Sequence, residues 1–207
     1  MLWVWAWALV VAGVVGGGRA LGADTAERAV PRLTAEGFAV PQPGYVFQFP
    51  RDHGAHPEFK IEWWYITGHL FAEDGRRFGY QATFFRSAAP DKKGQVYLAH
   101  MALLDVKAGK FYHQERLNRE GWDASAAVGT LDLRNGPWSL RFADGGERSE
   151  RMELRGGIRA EVNFELMLTP EKPLVVFGEN SVSRKGSAPT AASYYLTFSR
   201  LKAEGSL

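Results

Sequence analysis

The chain has 207 residues, with 25 basic and 23 acidic side chains, so its formal net charge is only +2. The basic residues are not concentrated in a stripe, and this balance argues against nucleic-acid binding. The sequence contains no cysteine, which excludes a disulfide framework, a cysteine nucleophile and a lipid-modified cysteine anchor. The fold must therefore be stabilised by its hydrophobic core.

The first predicted elements are an export signal and a polar lead-in. Residues 2–15 are apolar and uncharged, but a membrane span needs about 20 such residues. Small residues follow, as at a signal-peptide cleavage site, although no Lys or Arg precedes the apolar stretch. We predict a cleaved signal peptide over 1–23, a lead-in over 24–43, and a periplasmic or secreted protein. The alternative is a chain anchored to a membrane by an uncleaved signal.

From Gly44 onward the sequence alternates between strands and turns. The longest predicted strand is 158–169, where apolar and polar side chains alternate almost throughout. Asn135-Gly136 and Asp74-Gly75 are typical of tight hairpin turns, and Gly156-Gly157 is expected to close a further hairpin. No segment after the signal shows the 3.6-residue period of a helix. We therefore predict an all-β, antiparallel fold.

Hairpins in series favour a closed barrel, because closure leaves no exposed strand edge. Two segments, 62–71 and 96–106, are largely apolar on both faces instead of one. Strands of this kind are expected to be buried on both faces. Either the barrel encloses an apolar cavity for a small ligand, or another domain covers its outside.

The segment with the most chemistry is Tyr45–Leu70. It combines histidines, carboxylates and adjacent tryptophans, and Pro50, Gly54 and Pro57 keep its first half in a loop. Its second half is a predicted strand. Titratable groups on a loop that leads into an aromatic strand are a plausible site for chemistry or ligand capture.

This segment also carries a family resemblance. Residues 49–70, FPRDHGAHPEFKIEWWYITGHL, and 78–86, FGYQATFFR, resemble the N-terminal domain of the carotenoid 1,2-hydratase (hydroxyneurosporene synthase) family. That family is also called AttH-like, and its members are described as predicted secreted hydrolases. Three later segments agree in the same order: 98–116, 172–178 and 192–207.

The resemblance implies a lipocalin-like, calycin-type β-barrel, the first of two barrels in one chain. We therefore expect a lipocalin-like domain over 44–191 and the first strand of a truncated second barrel over 192–207. In relatives, the second barrel carries an acidic, Trp-containing motif associated with the hydratase chemistry. No segment of this chain matches that motif.

Three hypotheses about function follow. The first is an exported domain that binds an apolar ligand such as a lipid, an isoprenoid or a carotenoid. The second is a hydro-lyase that adds water to a terminal isoprenoid C=C bond by acid catalysis, for which no cofactor is expected. The third is a structural half-domain that docks a second lipocalin-like barrel. A membrane-associated transport protein is a further expected partner.

Hydration of a C=C bond needs a protonated acid, surroundings that tolerate a carbocation, and a base for the water. The residue types in the motif segment meet each of these needs. The candidate catalytic residues are Asp52, His53 and Glu62. The candidate ligand-binding residues are His56, Glu58, Trp63, Trp64, Tyr65 and His69.

Structural roles compete with these assignments. Asp52 is also suited to a turn or to a surface ion pair with Arg51. Trp63 and Trp64 point to opposite faces of one strand, so at least one of them is expected to be ordinary packing. His100, on an apolar strand face, is expected to be a hydrogen-bonded core residue.

The pattern H-x-x-H-x-E, formed by His53, His56 and Glu58, uses residue types that bind metals. Helical zinc motifs place their histidines at i and i+4, whereas Gly54 and Pro57 argue against a helix here. We therefore predict no metal site. The two histidines are alternatively hydrogen-bonded structural residues or residues at the rim of a pocket.

Overall fold

The computed structural model describes residues 30–89 and 93–207. The predicted signal peptide, 1–23, and the start of the lead-in lie outside the described residues. In the described part of the chain, no helix is long and apolar enough to cross a membrane.

Strands dominate the described residues, and the motif loop adds a short 3-10 turn at Arg51–His53. The strands are β1 (Ile61–Phe71), β2 (Arg77–Ala88), β3 (Gln95–Asp105), β4 (Lys110–Arg119), β5 (Ala124–Ala126), β6 (Asp132–Asn135), β7 (Trp138–Phe142), β8 (Met152–Ile158), β9 (Val162–Pro170), β10 (Leu174–Phe177), β11 (Ser183–Arg184), β12 (Ala192–Ser193), β13 (Tyr195–Phe198) and β14 (Leu201–Ser206).

These strands form two main antiparallel sheets. The four-stranded sheet has the order β1-β2-β3-β4, and the six-stranded sheet has the order β14-β9-β8-β7-β6-β5. Two small ribbons pair β10 with β13 and β11 with β12. The prediction of an all-β, antiparallel fold is confirmed. Asp74-Gly75 lies in the turn between β1 and β2 as predicted. The hairpin predicted at Asn135-Gly136 joins β6 to β7, but Asn135 is the last residue of β6 and pairs with Trp138, so the turn is formed by Gly136 and Pro137.

The prediction of a closed barrel is wrong, and the lipocalin-like, calycin-type fold is not confirmed. Among the described strands, β1, β4, β5 and β14 each pair on one side only, so both sheets keep open edges. The chain leaves one sheet after β4 and enters the other at β5, which is only three residues long. Side-chain alternation shows which face of a strand points inward. The alternation pattern is the same in a barrel and in two packed sheets, so it does not distinguish them.

The longest predicted strand, 158–169, is a turn followed by β9. Ile158 ends β8 and pairs with Val162 at the start of β9, while Arg159 lies in the turn with a φ of 53°. Cross-strand partners point to the same face of a sheet, so Ile158 and Val162 both point to the core side. The alternating pattern in the sequence therefore continues across the turn and does not reveal it.

The prediction that Gly156-Gly157 closes a hairpin is wrong, because both residues lie inside β8. Gly156 pairs with Phe164 of β9, and a Cβ at Gly156 would overlap the Phe164 ring. Glycine at this point of a strand therefore allows a close approach between neighbours.

The last segment, 192–207, was expected to begin a second barrel. It forms β12, β13 and β14, and β14 pairs with β9 along the edge of the six-stranded sheet. Leu201 and Ala203 of β14 belong to the same core as the other strands.

One hydrophobic core fills the space between the two sheets. Phe84 and Met101 enter it from the four-stranded sheet, and Leu154 and Phe164 enter it from the six-stranded sheet. A void beside Phe84 has a volume of about 10 Å³, the space for roughly one water molecule. The interior that the sequence suggested as a ligand cavity is therefore occupied by side chains.

Candidate functional site

The motif loop, residues 45–59, is packed against both sheets. The Ala55 N–H donates to the Ala127 carbonyl at 2.8 Å, next to β5. A Cβ at Gly54 would lie 2.7 Å from the same carbonyl oxygen, so only glycine fits this approach. From the other side, Trp64 Nε1 of β1 donates to the His53 carbonyl at 3.0 Å. These contacts place the titratable residues of the loop at the start of β1.

Asp52 accepts several hydrogen bonds within this loop, and its side chain is only 1% exposed. Its donors are the Gln48 backbone N–H at 2.7 Å, Arg51 Nε at 2.7 Å and the Tyr45 hydroxyl at 3.0 Å. Burial acts to raise the pKa of Asp52, but these hydrogen bonds outweigh it and hold that pKa below its usual value. Asp52 is therefore a carboxylate at neutral pH, which suits an anchor or a base better than an acid.

His56 links Asp52 to Glu62. Its Nδ1 lies 2.8 Å from Glu62 Oε1, its Nε2 lies 3.5 Å from Asp52 Oδ1, and its backbone N–H donates to Glu62 Oε2 at 2.8 Å. The hydrogen bond to Glu62 raises the pKa of His56, although burial opposes it. His56 is thus stabilised as an imidazolium between two carboxylates.

Arg86 completes this group, and the sequence interpretation missed it. Its side chain is 1% exposed, and its Nε donates to Glu62 Oε2 at 2.6 Å. The other guanidinium nitrogens donate to Gln95 Oε1 at 2.6 Å and to the carbonyls of His56 and Phe59. The signal in the sequence was an arginine at a position of β2 that faces the core. We call Asp52, His56, Glu62 and Arg86 the charge cluster.

His53 lies outside the charge cluster. Its ring packs against the rings of Phe49, Phe142 and Phe198, and its Nε2 is 3.4 Å from Glu150 Oε1. Burial lowers the pKa of His53, which favours the neutral ring. His53 is therefore placed as a packing residue of the loop.

The charge cluster predicts a pH-dependent contribution to stability. Since the folded-state pKa of His56 lies above the unfolded value of about 6.5, its stabilisation is full below that pH and disappears as pH rises through the folded pKa. We expect His56→Gln to cost about 1.5–3 kcal/mol at pH 5.5 and less at pH 8.5. Urea denaturation at both pH values measures the difference.

His113→Gln is the matched control, because His113 lies outside the charge cluster and stacks on Phe111 of β4. Its cost should be small at both pH values. A His56→Gln cost that is independent of pH would contradict the role of the imidazolium.

The other predicted site residues of β1 lie on two sides of the sheet, because side chains alternate along a strand. Trp64 faces the core, as one member of the tryptophan pair was expected to. Trp63, Tyr65 and His69 lie on the opposite side of β1 and are exposed, and Glu58 is exposed on the loop. The structure therefore brings Asp52, His56 and Glu62 together and places Trp63, Tyr65 and His69 on a different surface.

That surface is the side of the four-stranded sheet that faces away from the core, which we call the outer face. Large apolar residues lie towards its two ends, where Trp63 is 39% exposed, Phe111 62% and Leu117 68%. Polar residues lie across the middle of the face: Thr67, Gln81, Thr83, His100, His113 and Glu115. Within the described residues, the two doubly apolar segments are therefore buried on one face, and their other face carries exposed side chains. The exposed large apolar side chains of the outer face are Ile61, Trp63, Tyr65, Phe71, Leu104, Val106, Phe111 and Leu117.

A shallow depression crosses the outer face at Gly79 of β2. Gly79 lies between His69 of β1 and Leu104 of β3 in the register of the sheet. A Cβ built at Gly79 would touch only the Leu104 Cβ, at 3.8 Å, so the space above this residue is open. At the side of β1, the hydroxyls of Tyr65 and Tyr195 are 2.6 Å apart, and the β10–β13 ribbon is thereby joined to the outer face.

A model of the AttH-like family matches residues 40–207. The chain belongs to the AttH-like family. This AttH-like chain is also similar to a solved protein from Nitrosomonas europaea that is assigned as AttH, with 35% sequence identity and a TM-score of 0.66. The match covers 81% of the AttH-like chain and 55% of the N. europaea chain, so it spans about half of that relative. No curated protein matches. The AttH-like resemblance seen in the sequence is confirmed.

Proposed function

We propose that this AttH-like chain is a binding domain for an extended apolar molecule, such as a lipid or an isoprenoid, and that the molecule lies on the outer face. The observation that carries the proposal is the exposure of Trp63, Phe111 and Leu117 on one side of one sheet. Contiguous exposed apolar patches mark interaction sites on soluble proteins. Because side chains fill the interior, the surface is the better place for a ligand.

The shape of the outer face fits an elongated ligand. β1 contributes Trp63, Tyr65 and Phe71 along one side, and β3 contributes Leu104 on the other. Between them, the open space at Gly79 leaves room for part of an alkyl chain or polyene, next to Gln81 and Thr83 on the same face of β2. At roughly 3.4 Å per residue, β1 from residue 61 to 71 is about 34 Å long. An extended chain on this face would contact several aromatic rings at once.

The charge cluster lies on the opposite side of the sheet from the outer face and stabilises the position of β1. Glu62 and Trp63 are consecutive residues of β1, so their side chains point to opposite sides of the sheet. The contact between Glu62 and Arg86 holds β1 against β2 and keeps Trp63 on the outer face. Asp52 and Glu62 are both occupied by cationic partners, which leaves His56 as the proton-bearing group of the cluster. The hydro-lyase hypothesis needs a protonated acid, and it has less support because both carboxylates are held by cations.

A second candidate function uses the same surface. The outer face would then dock a second AttH-like half, with Trp63 as an anchor of the interface. This candidate is favoured by the comparison with the N. europaea protein, because the match covers only 55% of that chain. Aromatic residues commonly anchor such interfaces.

Titration with the neutral polyene diphenylhexatriene tests the binding function. We expect a saturable rise in fluorescence, and we expect the double variant Trp63→Ser/Phe111→Ser to bind about tenfold more weakly because it removes apolar contact area. Trp122→Ser is the matched control, since Trp122 is exposed in the loop between the two sheets. Its affinity for the probe should equal that of the wild type.

Light scattering on the same samples separates the two candidates. A chain that binds no probe but self-associates, and becomes monomeric in the double variant, would support docking and overturn ligand binding. Saturable binding that the double variant does not weaken would place the ligand elsewhere and would also contradict the proposal.

A further inference from the structure

We infer that the apolar ligand carries an anionic end group and that Arg77 and Lys107 bind it at one end of the outer face. This inference rests on the proposed function and names the ligand class as a long-chain carboxylate. Its structural basis is a cleft where the β1–β2 and β3–β4 turns meet. The cleft has a volume of about 290 Å³ and is lined by Asp74, Gly75, Arg76, Arg77, Val106 and Lys107.

The charges of this cleft leave two cations available. Arg76 is engaged by Asp74, with Nε 2.6 Å from Oδ2 and the Arg76 N–H donating to Oδ1 at 3.0 Å. Asp105 accepts the Ala108 N–H at 2.9 Å. Both side chains of Arg77 and Lys107 are exposed, and neither forms a direct ion pair with another described residue.

The carboxylates around the cleft already have partners. The pKa of Asp74 is lowered mainly by its hydrogen bonds from Arg76, and the charge of Lys107 makes a smaller contribution. Glu73, in the same turn, has a contact of its own. An incoming carboxylate would therefore meet the cations of Arg77 and Lys107, while the charge of Asp74 is neutralised by Arg76.

The cleft adjoins the depression at Gly79 on the outer face. Arg77 is the cross-strand partner of Phe71, and its carbonyl accepts the Val106 N–H at 3.1 Å. The next residue of β2 on the same face is Gly79, at the depression. A carboxylate bound at Arg77 would thus direct its alkyl chain over Gly79, between His69 and Leu104.

The residue types also favour a carboxylate. The guanidinium of an arginine binds a carboxylate through two parallel hydrogen bonds, and a nearby lysine adds a mobile positive charge. A neutral hydrocarbon would gain nothing from either cation. The arrangement therefore favours an amphiphile with one charged end over a carotene without a polar group.

Displacement of diphenylhexatriene by palmitate and by 1-hexadecanol tests this inference, since the two competitors have the same chain length. We expect palmitate to displace the probe at concentrations about tenfold lower than hexadecanol. The double variant Arg77→Gln/Lys107→Gln should abolish this preference and leave the affinity for diphenylhexatriene unchanged. Arg148→Gln, an exposed arginine in the turn between β7 and β8, is the matched control.

A second variant tests the path of the chain. Gly79→Val adds a β-branched side chain at an open strand position, which the backbone tolerates. Gly79→Val should weaken the binding of both palmitate and hexadecanol without changing the preference for palmitate.

The possible failures are distinguishable. If diphenylhexatriene binds but palmitate is no better than hexadecanol, or the cation variant keeps the preference, the end-group inference is wrong and the proposed function stands. If no apolar probe binds, the proposed function fails and the inference fails with it. Binding to vesicles of anionic phospholipid, without binding of palmitate monomers, would overturn the inference in favour of a membrane surface.

Discussion

Glu62→Ala is expected to lower the free energy of unfolding by about 3–5 kcal/mol, because it leaves the Arg86 guanidinium buried without its carboxylate. Arg86 is 1% exposed, and Glu62 is its anionic partner, with Arg86 Nε donating to Glu62 Oε2 at 2.6 Å. The same substitution removes the partner of His56 Nδ1. Urea denaturation followed by circular dichroism measures the loss.

Two further variants show whether the loss comes from an unpaired buried charge. The Arg141–Glu153 pair has a similar distance of 2.7 Å but lies at the surface, so Glu153→Ala should cost no more than about 1 kcal/mol. The double variant Glu62→Leu/Arg86→Met removes both charges and should recover part of the stability lost in Glu62→Ala. If Glu62→Ala costs no more than Glu153→Ala, the charge cluster is not a structural anchor. Glu62→Gln offers a milder change if the alanine variant does not fold.

Phe164→Ala is expected to cost about 3–5 kcal/mol, whereas Phe111→Ala should change stability by no more than about 0.5 kcal/mol. Phe164 is 1% exposed, and its ring lies over Gly156 of the neighbouring strand. Removing that ring would leave a cavity between tightly packed strands. Phe111 projects from the outer face and shares little buried area with the fold. The same urea experiment compares the two variants directly.

This contrast bears on function. If Phe111 contributes nothing to folding, its presence on the surface needs another explanation, and ligand binding supplies one. A cost for Phe111→Ala similar to that for Phe164→Ala would show that the outer face is packed in the isolated chain. The main reason for placing a ligand there would then be gone.

The secondary structure was predictable because alternation depends only on which side of a strand faces the core. It identified the antiparallel strands and the opposite directions of Trp63 and Trp64. It did not distinguish a barrel from two packed sheets, since that choice depends on whether edge strands pair. It also placed a turn at Gly156-Gly157, where glycine instead makes room for the Phe164 ring.

The candidate site was predictable only in part. Asp52, His56 and Glu62 were recognised because they lie close together in the sequence. Arg86 is distant in the sequence, and only the pairing of β1 with β2 brings it opposite Glu62. The direction of the pKa change at Asp52 also depends on contacts with Tyr45 and Gln48 that no residue pattern reports.

The contact between Glu62 and Arg86 also fixes the register of β1. A shift of β1 by one residue along β2 would turn the Glu62 carboxylate outward and the Trp63 indole inward. That misaligned pairing would bury a large aromatic ring where an ion now sits, and it would leave the guanidinium of Arg86 without an anion. One buried pair of opposite charges thus selects a single alignment of the hairpin during folding and disfavours the neighbouring ones.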